Sequence, residues 1–182
     1  GASISQNFDS YCYFLLFSFS SACVTFVGQN YGAGKYDRCK RVFWICLAGG
    51  TIVCFIANMT FLAFADPVLS LFTADANVVR YAKARMFAVL LFQWIATGYE
   101  IPSAAMRGFG HSLEPALLTI FGTCVLRLVW IFIVLPIWPG FSQLMYCYPI
   151  SWILTSLFVG GLFSYYWRKY LSPTTSRISS CQ

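Results

Sequence analysis

Two ionised side chains, Glu100 and Arg127, lie inside stretches of the sequence that are otherwise long and apolar. A charge near the centre of a bilayer costs about 2.5–3.5 kcal/mol on insertion scales, so such residues usually face a bundle interior or a water-filled cavity. Either they form structural ion pairs or snorkelling charges, or they bind a coupling ion or a substrate on a transport path. An apolar environment disfavours a charged carboxylate, which makes Glu100 a candidate for proton exchange.

Other polar residues share helical faces with these two charges. One predicted stripe contains Gln93, Thr97, Glu100, Ala104 and Arg107, at i, i+4, i+7, i+11 and i+14. A second contains Thr119, Thr123 and Arg127, and a third contains Ser18, Ser21, Thr25 and Gly28. Such stripes face other helices or a cavity rather than lipid. The predicted ion-coupling or substrate-binding residues are Glu100, Arg127, Gln93, Thr97 and Tyr99.

Pro102 follows Glu100 by two residues and predicts a bend in the same helix, because proline removes one backbone hydrogen bond. Such a bend is either a moving part beside an ionisable group or a static kink that shapes packing. The sequence alone leaves both readings open.

The glycine-rich segment 28–41, GQNYGAGKYDRCKR, does not match a phosphate-binding loop. That loop requires G-x-x-x-x-G-K-[ST], but Gln29 replaces the first glycine and Tyr36 replaces the hydroxyl residue. The sequence has eight cysteines without a C-x-x-C pair and a single histidine, His111. No zinc-ligand spacing, Ser/His/Asp set or glycosidase-like carboxylate pair is present. We therefore predict no enzymatic site, no metal and no cofactor other than a coupling ion.

The composition is that of a membrane protein. Of the 182 residues, 59% are hydrophobic and 10% are charged, against roughly 25% charged residues in soluble domains. The net charge of +6 is basic enough to suggest a nucleic-acid partner. However, the basic residues cluster between apolar runs, which indicates membrane orientation instead. We predict lipid as the main surrounding partner and no nucleic acid.

Five apolar segments predict an all-α, polytopic membrane helix bundle. They cover residues 10–29, 42–64, 82–106, 116–138 and 145–167. Each reaches the ~20 residues that cross a bilayer as a helix, and none alternates as a barrel strand does.

The basic residues predict the orientation of these spans. Eight would lie on one side: Lys35, Arg38, Lys40, Arg41, Arg107, Arg168, Lys169 and Arg177. Three would lie on the other: Arg80, Lys83 and Arg85. The positive-inside rule places the first side, and with it a flexible tail at 172–182, in the cytoplasm. The start, GASISQNFDS, lacks a basic n-region and is not a signal peptide. We expect it to be a cut through a longer chain.

Two motifs resemble the multidrug and toxic compound extrusion (MATE) family of transporters. GQNYGAGKYDRCKR (28–41) is similar to that family's G-Q-x-x-G-A-x-x-x-x-x-A-K-R segment, with Cys39 where a small residue is usual. YEIPSAAMRGFGHSLEP (99–115) is similar to its E-x-x-x-x-x-x-R-G-x-G-x-S pattern, and LFTADANVVRYAKARM (71–86) resembles a connection between its helices. The helix-end residues of these motifs are Gly28, Gln29, Gly32, Ala33, Arg107, Gly108 and Gly110.

The resemblance implies a secondary antiporter with two six-helix lobes that exports drug-like organic cations in exchange for H⁺ or Na⁺. Residues 1–182 would then be a partial second, C-terminal lobe, with helices eight to twelve of the full transporter. The missing N-terminal lobe would be its main protein partner, in a plasma membrane, for a bacterial protein the inner membrane. Glu100 matches the acidic position of one branch of the family, whereas other branches place their acid where this chain has Ala96.

Two other functions are compatible with the sequence. A lipid-linked glycan flippase of similar build would move a large anionic substrate and should carry more cationic residues toward its cavity. A non-transporting membrane scaffold should lack charges inside its spans, and Glu100 and Arg127 argue against it.

Overall fold

The computed structural model describes residues 2–70, 76–137 and 141–171, and every regular element in these ranges is helical. The long helices are α1 (Ala2–Gly32), α2 (Tyr36–Ala63) and, at the other end of the chain, a 31-residue helix over Phe141–Leu171. The predicted all-α fold is confirmed. The tail predicted at 172–182 and the first five residues of the segment 71–86 lie outside the described residues.

Between the long helices, the chain is divided into shorter elements. They are α3 (Ala65–Ser70), α4 (Ala76–Leu90), a 3-10 turn (Gln93–Ala96), α5 (Thr97–Gly108), α6 (Leu113–Ile120), α7 (Leu126–Val129) and α8 (Leu135–Ile137). Two π-helical turns, Phe121–Val125 and Trp130–Val134, flank α7 on both sides. Helix α9 is Phe141–Leu171.

Four helical stretches in the described residues are long and apolar enough to cross a membrane. They are Asp9–Gly32, Tyr36–Ala63, Leu113–Ile133 and Tyr146–Leu171. Their outer faces carry large apolar side chains, such as Ile45 at 69% exposure and Phe132 at 74%. Lipid accommodates such a surface, whereas water penalises it. Four of the five predicted spans therefore contain such a helical stretch, and residue 138 at the end of the fourth lies outside the described residues.

The third predicted span, 82–106, is not one helix, and this part of the prediction is wrong. Helix α4 ends at Leu90, and the chain passes through the 3-10 turn before α5 begins at Thr97. Neither α4, with 15 residues, nor α5, with 12, spans a bilayer alone. Pro102 lies beyond this break, inside α5.

Side chains add hydrogen bonds to carbonyl groups at the break. Trp94 Nε1 donates to the Leu91 carbonyl at 3.0 Å, and the Thr97 hydroxyl donates to the Trp94 carbonyl. Ser156 Oγ of α9 donates to the Ile95 carbonyl at 3.4 Å. Because unsatisfied backbone groups are costly inside a membrane, these bonds make a broken helix acceptable there.

Helix α5 lies at the centre of the bundle, between α1, α2 and α9. Ile101, Ala104, Ala105 and Met106 are all fully buried. Gly108, at the end of α5, touches α1 so closely that an added Cβ would lie 3.0 Å from Val27 Cβ and 3.1 Å from a main-chain oxygen. The small residues of α5 thus bring its backbone against α1, which positions the polar groups of both helices.

Candidate functional site

The carboxylate of Glu100 is buried between α5 and α1, with 6% of the residue exposed. Ser20 Oγ of α1 donates to Glu100 Oε1 at 2.8 Å, and Arg107 Nη2 approaches the same oxygen at 3.2 Å. Arg107 Nη2 also donates to Ser20 Oγ at 3.0 Å, which closes a triangle. We call Ser20, Glu100 and Arg107 the carboxylate network.

The spacing in α5 explains half of this network. Seven residues correspond to about two helical turns, so Glu100 and Arg107 share one face. The third member, Ser20, comes from α1. The close contact at Gly108 holds α1 near enough for Ser20 to reach the carboxylate. Arg107 therefore does not only mark the end of a helix, since it turns back to pair with Glu100.

A cavity of about 450 Å³ opens on the other side of Glu100. Tyr13 connects the two places, because its hydroxyl donates to Glu100 Oε2 at 3.5 Å and its side chain lines the cavity. The walls come from α1, α4, α5, α6, α7 and α9, from the 3-10 turn and from the π-helical turn Phe121–Val125. The lining residues are Asp9, Ser10, Tyr13, Phe14, Arg85, Val89, Gln93, Tyr99, Thr119, Thr123, Arg127, Tyr148 and Trp152.

Three of the lining residues carry a charge: Asp9, Arg85 and Arg127. Arg85 and Asp9 form an ion pair at 2.8 Å, and their side chains are only 11% and 15% exposed. Arg127 lies over the ring of Tyr148 at 4.5 Å, and its Nε donates to Ser151 Oγ at 3.2 Å. Glu100 thus pairs with Arg107 rather than with Arg127.

Three of the predicted site residues, Gln93, Tyr99 and Arg127, meet at this cavity. Gln93 is 4% exposed, and its Nε2 donates to the Asp9 carbonyl at 3.0 Å. Glu100 lies beside the cavity, one hydrogen bond away through Tyr13. Thr97 lies elsewhere, since its hydroxyl is 3.0 Å from Thr51 Oγ1 of α2.

The polar stripes divide between two sites. Thr119, Thr123 and Arg127 all line the cavity, as their spacing predicts. In α1, the buried face instead contains Ser20, while Ser18 is exposed and donates only to its own helix. Two other members of that stripe, Ser21 and Thr25, line an open cleft of about 400 Å³ beside Arg107.

The helix-end residues of the two motifs lie together at one end of α1 and α5. A Cβ on Gly28 would lie 3.4 Å from the Gly108 carbonyl oxygen, so these two glycines mark the close approach. A Cβ on Gly32 would meet nothing within 4 Å, so of these two glycines only Gly28 lies against the neighbouring helix. Gln29 and Ala33 are exposed, and Gly110 has a φ of +92° in the turn after α5.

Sequence reasoning missed Asp9, Arg85 and Ser20. Asp9 stands in the stretch that we expect to be a cut through a longer chain, and the count of basic residues places Arg85 in an outer connection. Ser20 lies outside the serine and threonine stripe, and it is the buried Cys12, Leu16, Ser20, Cys23 and Val27 that share one helical face. The helical spacing of these apolar and small residues could have shown that Ser20 lies on the buried face of α1.

Within the described residues, no three His, Cys, Asp or Glu side chains are grouped closely enough to hold a metal ion. The charged groups found in the buried sites are carboxylates and guanidinium groups. Groups of these two kinds form ion pairs with each other and bind charged organic groups.

A family model described as MatE matches residues 1–133 of this chain. A probable multidrug resistance protein, YoeA of Bacillus subtilis, is 25% identical over 84% of this chain and 33% of its own length. Probable multidrug resistance proteins NorM are similar too: that of Pasteurella multocida is 25% identical over 65% of this chain and 25% of its own length. That of Thermotoga maritima is 26% identical over 70% of this chain and 28% of its own length.

A solved structure, the MATE transporter ClbM in complex with Rb⁺, superposes on 97% of this chain and 40% of its own, with a TM-score of 0.77. The sequence identity is 18%, so this likeness concerns the fold. The chain spans a third or less of the length of these three curated relatives.

Proposed function

Because this chain belongs to the MatE family, as its two motifs indicate, we propose that it forms part of a multidrug efflux transporter. The relatives that are named multidrug resistance proteins support this function. Since the chain covers only part of their length, we propose residues 1–182 as part of a second, C-terminal lobe. A first lobe would then complete the walls of the cavity and of the cleft beside Arg107.

The buried carboxylate of Glu100 is the observation that carries the transport mechanism. It is hydrogen-bonded to another helix and lies one hydrogen bond from the cavity. We propose that H⁺ or Na⁺ binds there in competition with Arg107 and Ser20. Binding would loosen the contact between α1 and α5, and substrate release would be linked to that change.

The remaining features fit export across a plasma membrane. We place the end of α9 and the loop between α1 and α2 on the cytoplasmic side, because basic residues concentrate there. The substrate would occupy the cavity among aromatic side chains, including Tyr99 and Trp152. The organic-cation substrate stays a prediction. The cavity lining contains two arginines and one aspartate, which is not a charge balance that favours a cation.

The proposed function is tested by drug accumulation in cells that lack their own efflux pumps. Cells that express the full-length protein should retain less of a fluorescent drug than cells with an empty vector. The difference should disappear when the proton and sodium gradients are collapsed. Equal retention with and without the protein, at verified membrane expression, would contradict an efflux function.

A further inference from the structure

Arg127 is the only charged cavity residue that has no opposite charge beside it in the part of the chain that the structure describes. Asp9 and Arg85 neutralise each other at 2.8 Å. The contacts of Arg127 are a hydroxyl and two aromatic rings, Tyr148 at 4.5 Å and Trp152 at 6.0 Å. The cavity walls therefore have a net charge of +1, and an unbalanced charge inside a membrane protein is energetically costly.

The guanidinium group is held in a fixed orientation. Its Nε donates to Ser151 Oγ, and that hydroxyl donates onward to the Tyr148 carbonyl at 2.9 Å. The guanidinium carbon also lies 4.5 Å from the centre of the Tyr148 ring, within the range of a cation–π contact. These contacts use Nε, and they leave the two terminal nitrogens as a fork, the geometry that binds a carboxylate through two parallel hydrogen bonds.

The same cavity also contains acceptors without donors. Gln93 Oε1 and Asp9 Oδ1 are both buried, and neither has a hydrogen-bond partner among the described residues. Gln93 lines the cavity and its Nε2 donates to the Asp9 carbonyl, while its oxygen is left without a donor. A buried acceptor that lacks a donor is costly, and an ammonium group supplies three donors.

We propose that this cavity binds an aromatic zwitterion, with its carboxylate on Arg127 and its ammonium group at Gln93 and Asp9. The ring would pack among the aromatic side chains of Tyr99, Tyr148 and Trp152. A cavity of about 450 Å³ lies within the usual range for small-molecule sites. This proposal rests on the proposed efflux function and specifies the class of substrate. A simple organic cation would leave Arg127 unpaired and would be repelled by it.

Three ligands that share an indole ring test the contribution of each charge. Tryptophan carries both charges, tryptamine carries only the ammonium group and indole-3-propionate carries only the carboxylate. Binding of each to the full-length protein in nanodiscs should be measured for wild type, Arg127→Gln and Arg127→Lys. Arg38→Gln, at an exposed position outside the cavity, is the matched control. Wild type should bind tryptophan most tightly. Arg127→Gln should weaken tryptophan and indole-3-propionate about tenfold or more, and tryptamine less than about twofold.

The series remains decisive if Arg127→Gln does not fold. Measurements on the wild-type protein are then sufficient. The proposal is contradicted if tryptamine binds to it as tightly as tryptophan, or if none of the three ligands binds. Arg127→Lys keeps the charge but loses the fork, so we expect an intermediate affinity for the two carboxylates. A drug-accumulation assay on the same protein separates the two ideas. Efflux without the zwitterion preference would overturn the substrate class only, whereas the absence of efflux would overturn the proposed function.

Discussion

Arg107 Nη2 lies 3.2 Å from Glu100 Oε1, although the two residues are seven positions apart in α5. Their side chains differ in access to solvent, with 33% of Arg107 and 8% of Glu100 exposed. A buried carboxylate is thus paired with a partner that reaches toward an open cleft. An ion that enters through the cleft would meet the arginine before the carboxylate, which makes this pair a suitable place for competition.

Ser20→Ala should weaken the carboxylate network without removing either charge. Glu100 Oε1 would lose its shortest hydrogen bond, 2.8 Å, and the substitution should cost about 1–3 kcal/mol. Ser18→Ala is the matched control, because Ser18 is exposed and donates only to the Phe14 carbonyl. Thermal unfolding in detergent compares the two variants. Equal unfolding temperatures would contradict the network.

Gly108→Ala should destabilise the contact between α1 and α5. The new Cβ would lie 3.0 Å from Val27 Cβ and 3.1 Å from the Val24 carbonyl oxygen, and backbone cannot move aside cheaply. Overpacking of this kind costs about 1–3 kcal/mol. Gly160→Ala in α9 is the control, since its Cβ would meet nothing within 4 Å. The control should keep or raise the unfolding temperature.

The ion pair of Asp9 and Arg85 should show strong coupling in a double-mutant cycle. Arg85→Gln alone leaves a buried carboxylate without its partner, so we expect a loss of about 3–5 kcal/mol. Adding Asp9→Asn should restore much of that stability, because the orphaned charge is removed. Additive losses of stability in the double variant would show that the two side chains act independently.

Cysteine labelling in intact cells tests the orientation of the helices. Asp37 precedes most of α2 and its side chain is 94% exposed, whereas Asp66 of α3 is 68% exposed near the opposite end of that helix. A membrane-impermeant maleimide should label Asp66→Cys at once and Asp37→Cys only after permeabilisation. The parent protein, with its own cysteines, provides the background signal. The reverse pattern would place the basic loops outside.

The apolar runs predicted most of the fold, because length and continuous hydrophobicity alone define a membrane helix. The break at 91–96 was not predictable in this way. It depends on Trp94 and Thr97 bonding to local carbonyls and on Ser156 reaching across from α9. The last of these contacts is tertiary, and the local sequence between 82 and 106 still reads as one apolar span.

Part of the candidate site was also visible from spacing. Thr119, Thr123 and Arg127 line the cavity as one helical face. The partner of Arg85 could not be inferred, because its pairing depends on which helices touch. Arg85 resembled an outer-loop charge, yet it pairs inward with Asp9. Glu100, by contrast, pairs with Arg107, which shares its predicted helical stripe, and not with the mid-span Arg127.

We propose that Glu100 couples an ion gradient to drug export. The most direct measurement is gradient-driven drug uptake into proteoliposomes that contain the full-length protein, with wild type, Glu100→Gln and the control Glu114→Gln. Glu114 also accepts hydrogen bonds, from Tyr166, but lies outside the cavity and the carboxylate network. We expect Glu100→Gln to lower gradient-driven transport at least about tenfold, while the control stays within about twofold of wild type. Unchanged transport by Glu100→Gln, with the same dependence on the gradient, would contradict the account.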